Sequence, residues 1–231
     1  MSPDPGPRHV VVREIERADP DVVAALGEQG TATVHEAIGA RGFAGPELRP
    51  IQQGVRLAGS AVTVSSHPGD NLMVHAAVEV CRPGDVLVVT STAPSSHGLF
   101  GELLATSLLA RGVRALVTDT GVRDTAELRE MGFAVWSQHV SCQGTVKASP
   151  GSVNVPVVLG GVVVSPGDAV CADDDGVVVV PRGEATWALE AAQQRVARED
   201  AARARLAAGE LGLEIYGLRT TLEALGVEYI T

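Results

Sequence analysis

Three consecutive segments constrain this chain more than any others. Asp85–Thr90 is a short apolar run, Gly101–Gly112 carries a helical apolar pattern, and Val113–Thr120 is a second apolar run ending at turn residues. Strand, helix and strand make a βαβ unit, whose right-handed crossover sets the two strands parallel and adjacent. Glu102 opens the helix, and Arg123-Asp124 follows the second strand after a gap of twenty residues. One helix out and one strand back returns the chain to the same edge of the sheet. Glu102 and Arg123-Asp124 are therefore expected at the carboxyl ends of neighbouring strands, where open α/β sheets bind ligands. Two carboxylates and a guanidinium meeting there point to a divalent metal and an anionic substrate.

The rest of the chain reads as one domain over 1–231, with a frayed tail at 1–8 and a helical extension over 184–231. Asp19-Pro20 predicts a capped helix start, and Thr31–Ala40 a second helix ended by glycines. A strand is predicted over Val55–Ser65 and a helix from Pro68-Gly69-Asp70 to about Val80. A short helix over Ala126–Met131 precedes a strand at Phe133–Trp136. Between Val146 and Pro181, short β-branched runs broken by Pro166-Gly167-Asp168 and Asp175-Gly176 predict a compact β-layer. One long helix, Glu184 to about Ala208, and a short one near Leu218–Leu225 complete the reading.

The net charge of −10 argues against a nucleic-acid surface. No apolar run approaches the ~20 residues of a membrane span. Three cysteines, Cys81, Cys142 and Cys171, lie far apart without a CxxC, so buried thiols in a cytoplasmic protein are expected. Lys147 is the only lysine and lies outside the βαβ unit, so no Schiff base is expected. The bland readings are a capping aspartate for Asp124, an uneventful helix start for Glu102, and a solvated helix face for Glu199. Leu103 and Leu104 supply first-turn amides that a helix leaves free for an anion.

The chain resembles the 4-carboxy-4-hydroxy-2-oxoadipate / 4-hydroxy-4-methyl-2-oxoglutarate aldolase family, which shares its fold with the regulator of ribonuclease activity A. The resemblance runs from about Val11 to Tyr229. It rests on Ala32-Thr33-Val34-His35-Glu36, Pro68-Gly69-Asp70-Asn71, Gly101-Glu102-Leu103-Leu104, Gly144-Thr145-Val146-Lys147 and Ala172-Asp173-Asp174-Asp175-Gly176. It implies a compact α/β/β sandwich with a central βαβ unit and a long C-terminal helix, assembled as a homotrimer or homohexamer. It also implies a metal-dependent aldolase using Mg²⁺ or Mn²⁺ on a small anionic 2-oxo acid, with oxaloacetate decarboxylation as a side activity. The roles it implies are Asp124 on the metal, Glu102 on metal-bound water, and Arg123 on the substrate near its keto oxygen. Leu103, Leu104 and Asn71 would bind substrate, and Glu199 would join the metal-water shell of a neighbouring subunit. Aldolases of this family carry an acid at the position of Glu102, where the ribonuclease regulators carry glycine; the aldolases most like this chain have aspartate there, so Glu102 is a mild departure. Substrate choice is expected to depend on loop contacts such as Ser95–Phe100. Two rivals stay open: 4-hydroxy-4-methyl-2-oxoglutarate or a related 2-oxo acid as main substrate, and a non-catalytic regulator.

Overall fold

Residues 9–230 are described in the computed structural model; the expected tail at 1–8 lies outside them. Helix α1 (Pro20–Gln29) starts as the sequence predicts: Asp19 Oδ1 accepts from the Asp21 amide at 2.9 Å, and Pro20 fills the first position. Helix α2 (Thr31–Ala37) is shorter than expected. It stops early because Gly39 (φ +81°) and Ala40 (φ +56°) turn left-handed.

The strands then follow as β1 (Arg49–Pro50), β2 (Leu57–Ser66), β3 (Asp85–Ser91), β4 (Gly98–Phe100), β5 (Ala115–Val122) and β6 (Ala134–Val140). Helices α3 (Leu72–Val78), α4 (Glu102–Leu109) and α5 (Thr125–Glu130) connect them. The β-rich segment supplies β7 (Ser152–Val153), β8 (Val157–Leu159), β9 (Val162–Val164), β10 (Ala169–Asp173) and β11 (Gly176–Val180). The main sheet runs β1-β6-β5-β3-β2-β10-β11, with β4 on β5 and β7 on β2. Strands β2, β3, β5 and β6 are mutually parallel, and β10–β11 is the hairpin that Asp175-Gly176 predicted.

Alternation along the parallel strands fills both faces. Val62, Val64, Leu87, Val89 and Leu116 pack against α3, α4 and α5. Their neighbours Val86, Val88, Val117 and Trp136 pack against Val157, Leu159 and Val164 of the separate β8–β9 hairpin. Helices α1, α2 and the first turns of α6 (Ala185–Ala207) cover the β10–β11 end. The result is the expected α/β/β sandwich. Helices α7 (Gly212–Ile215) and α8 (Leu218–Ala224) extend it, and no described residue beyond Ala192 is buried in the chain. Cys81 and Cys171 are buried, and burial pushes both thiols up to about 12; Cys142 is exposed, against expectation.

One buried acid ties the layers together beside the site. Asp70 is fully buried. Its carboxylate accepts from the amides of Leu72 (2.8 Å), Ala148 (2.8 Å) and Ser149 (2.6 Å). Burial alone would raise its pKa, but these donors outweigh burial and hold it below the usual carboxylate range. The stabilisation is thus present above the ordinary carboxylate pKa and is lost as pH falls through the depressed folded value. Asp70→Ala leaves three donors unmatched and is expected to cost about 2–4 kcal/mol, read as a lowered urea midpoint at neutral pH.

Candidate active site

Sequence spacing put Glu102 at the end of β3, but the chain arrives there by another route. It leaves the sheet at Ser91, loops out, and re-enters as β4. Residues Val86–Val89 of β3 pair with Ala115–Thr118, and β4 then pairs with Gly121 and Val122 farther along β5. Strand β4 therefore takes over beside β5 where β3 stops, and it delivers Gly101-Glu102 next to Arg123-Asp124. Three residues with a leading glycine give no strand signal. Gly98 is required because a Cβ there would lie 2.5 Å from the Ser141 carbonyl. Part of the expected Ser95–Phe100 loop is thus a buried strand.

The two motifs are coupled by direct bonds. The Arg123 amide donates to the Phe100 carbonyl at 2.9 Å. The Glu102 amide donates to Asp124 Oδ2 at 3.1 Å, so the aspartate closes over the open end of α4. Asp124 adopts φ +56°, a left-handed conformation that aspartate tolerates better than most residues. A Cβ at position 101 would stand 2.3 Å from Asp124 Oδ2, so only glycine leaves room for that carboxylate. Arg123 Nε lies 3.5 Å from Asp124 Oδ2, with both side chains about four-tenths exposed. An exposed pair of this length adds little stability and leaves the guanidinium available. Glu102 Oε1 accepts from the Thr106 hydroxyl at 2.9 Å.

A small cavity of about 120 Å³ opens at this edge. It brings together Arg123, Leu103, Leu104 and Asn71, four of the residues named from sequence, and adds His75 and Lys147. The helix offers no partner to its first-turn amides at Leu103 and Leu104. Asn71 donates from Nδ2 to the Leu99 carbonyl at 3.0 Å, which fixes the amide orientation, and its buried Oδ1 has no partner. His75 lies one turn along α3 from Asn71, on the same face. Burial and the positive charge of Lys147 lower its pKa, favouring neutral imidazole.

Lys147 reaches this wall through a long-range pairing. The Val146 amide donates to the Gly69 carbonyl at 3.0 Å, and the Asn71 amide to the Val146 carbonyl at 3.1 Å. No local pattern around Lys147 announces that bridge. The available signals were its uniqueness as the only lysine and its place in the Gly144-Thr145-Val146-Lys147 motif. The expectation against a Schiff base rested on distance from the βαβ unit, and the structure removes that ground.

Glu199 is not brought to this cavity. It sits on α6, where it pairs with Arg195 Nε at 2.7 Å and lines a separate cleft with Arg198 and Tyr216. Among the described residues, no three His, Cys, Asp or Glu side chains of one chain converge as a metal cage. Asp124 and Glu102 each keep one carboxylate oxygen outside the bonds above. Such oxygen donors suit Mg²⁺ or Mn²⁺, which retain waters in their coordination shell.

The architecture is that of an α/β/β sandwich whose strand ends carry a small pocket with two cationic side chains. Residues 31–179 match the RraA-like family, described as Aldolase/RraA, and the chain belongs to that family. A Halalkalibacterium halodurans protein named "Putative 4-hydroxy-4-methyl-2-oxoglutarate aldolase" is 25% identical over 202 residues, covering 87% of this chain and 96% of the relative. A Burkholderia multivorans protein of the same name is 37% identical over 58% of this chain and 81% of its own length. The crystal structure of Streptomyces coelicolor RraAS2, "an unusual member of the RNase ES inhibitor RraA protein family", superposes with a TM-score of 0.73. It is 31% identical and covers 82% of this chain and 99% of its own. No helix among the described residues is long and apolar enough to cross a membrane.

Proposed function

We propose that the chain is a divalent-metal-dependent aldolase that cleaves 4-carboxy-4-hydroxy-2-oxoadipate to pyruvate and oxaloacetate. The observation that carries this reading is that Arg123 and the first turn of α4 at Leu103 and Leu104 line one pocket, with Glu102 and Asp124 outside its lining but next to them in the chain and bonded to each other. The names of two relatives favour the alternative, 4-hydroxy-4-methyl-2-oxoglutarate as the main substrate of the same chemistry.

In this reading the Leu103 and Leu104 amides hold the carboxylate of the 2-oxo acid at the positive end of α4. The Arg123 guanidinium binds beside the 2-keto oxygen and meets the negative charge that develops there as the C3–C4 bond breaks. A carboxylate at the edge, Glu102, accepts the proton of the C4 hydroxyl through water, so that this oxygen becomes the carbonyl of the departing oxaloacetate while the C3–C4 electron pair passes to the enolate. Protonation at C3 then gives pyruvate. Asp124 and Glu102, joined by Glu199 of a neighbouring subunit, would hold a divalent ion that polarises the keto group as a Lewis acid. Oxaloacetate decarboxylation yields the same enolate, which makes it the expected side activity.

The test is pyruvate release from both hydroxy-oxo acids, with Mg²⁺ and with EDTA. EDTA should abolish release and added Mg²⁺ should restore it. Because Lys147 lines the pocket, borohydride added with pyruvate is the necessary companion measurement. The intact mass should not change, and a reduced adduct on Lys147 would replace the metal mechanism with an imine one. The RraAS2 likeness keeps a regulator as the second reading. Glu102, an acid where that class is expected to carry glycine, weighs against it, and wild-type protein that releases no pyruvate from either acid would decide for it.

A further inference from the structure

The proposed mechanism uses one wall of the pocket and leaves a cation unused on another. Arg123, Leu103 and Leu104 come from β5 and α4. Asn71, His75 and Lys147 come from α3 and the segment joined to it by backbone pairing. The backbone on both sides of Lys147 is fixed. Val146 is paired to Gly69 and Asn71, and the amides of Ala148 and Ser149 are held by the buried Asp70 carboxylate. The side chain itself has no ion-pair partner among the described residues, in a chain of net charge −10. No acidic side chain lines the cavity to neutralise it. Lys147 is exposed at the pocket wall, and an unpaired ammonium on fixed backbone with no acid in the lining is placed to meet an anionic group of a ligand.

We propose that Lys147 is the specificity residue of this site: it pairs with the carboxylate remote from the 2-oxo acid end, and so selects 2-oxo diacids over pyruvate-sized monoacids. The proposal rests on the aldolase reading for its placement of the 2-oxo acid end. The two ends of a diacid then find separate cations, Arg123 with the α4 amides for one and Lys147 for the other. The neighbouring groups fit that division. Neutral His75 can donate a hydrogen bond to the same carboxylate without adding charge. The unpartnered Oδ1 of Asn71 is an acceptor for a hydroxyl between the two ends.

The experiment compares two ligands on Mg²⁺-loaded protein by calorimetry: pyruvate, with one carboxylate, and 2-oxoglutarate, with a second one farther along the chain. In Lys147→Met the Kd for 2-oxoglutarate should rise by about 30-fold or more, as for losing a charged hydrogen-bond partner, while that for pyruvate moves by less than about 3-fold. Lys147→Arg should recover most of the diacid affinity. In turnover the loss should appear mainly in KM. Equal weakening of both ligands, or of neither, overturns the proposal, as does a wild-type protein that does not favour the diacid. An unchanged melting temperature shows that the variant is folded. These binding measurements do not depend on cleavage. A wild-type protein that binds the diacid through Lys147 but releases no pyruvate would sink the aldolase reading alone. One that cleaves normally after Lys147→Met would sink this proposal alone.

Discussion

Arg123→Ala is expected to lower kcat/KM for pyruvate release by about 10²-fold or more, the range for removing one donor aimed at a developing oxyanion. The size follows from its placement. Its amide is held by the Phe100 carbonyl, so the residue stays in register with α4. Its nearest acid is the half-exposed Asp124 at 3.5 Å, too loose a pair to occupy the guanidinium. Nearly all the loss should therefore fall on the reaction and little on folding. Arg123→Lys should restore little, because an ammonium cannot make the planar two-point contact with an oxyanion. Steady-state kinetics with a thermal melt on each variant checks both halves. Near-wild-type turnover in the alanine protein would move the site away from this pocket.

Glu199→Ala should remove activity while leaving the oligomer assembled, and subunit mixing should bring part of it back. Within one chain Glu199 stands on α6 beside Arg195 and Arg198, apart from the Asp124 edge. If it completes the metal-water shell of a neighbour, each site draws Asp124 from one subunit and Glu199 from another. An equal mixture of Glu199→Ala and Asp124→Ala then forms intact pairs at roughly a quarter of interfaces, by random placement around a symmetric ring. Recovery towards that fraction after subunit exchange is the expected result. Mixed oligomers that form and stay dead would confine Glu199 to its own subunit or remove it from the mechanism.

Local signals carried most of the fold. The βαβ unit, the Asp19-Pro20 helix start and the Asp175-Gly176 hairpin were legible because a few adjacent residues dictate each. The βαβ spacing also placed Glu102 and Arg123-Asp124 at one edge, although by way of β4. What escaped was set at a distance. Strand β4 is three residues long, and its pairing to β5 is forced by tertiary packing around Gly98 and Gly121. Lys147 and His75 join the pocket only because residues near 70 and 146 pair across the chain. A strand-period or helix-period pattern does not register such a bridge. Leu103 and Leu104 followed from helix-end chemistry, and Asp124 from the βαβ spacing, not from the bland capping reading: its side chain makes no cap bond to α5. The place of Asn71 came from resemblance, and the structure adds that its Oδ1 lacks a partner.

The absence of buried side chains beyond Ala192 among the described residues has an evolutionary corollary. Folding free energy resides almost entirely in the sheet and the helices that cover it, and exposed positions typically move it by less than about 0.5 kcal/mol. The distal half of α6, with α7 and α8, is therefore released from the selection that keeps a core packed. Substitutions there alter which surfaces the chain can recognise and leave its ability to fold nearly intact. Relatives with the same sandwich can diverge in this outer surface by drift, without compensating changes inside the sheet.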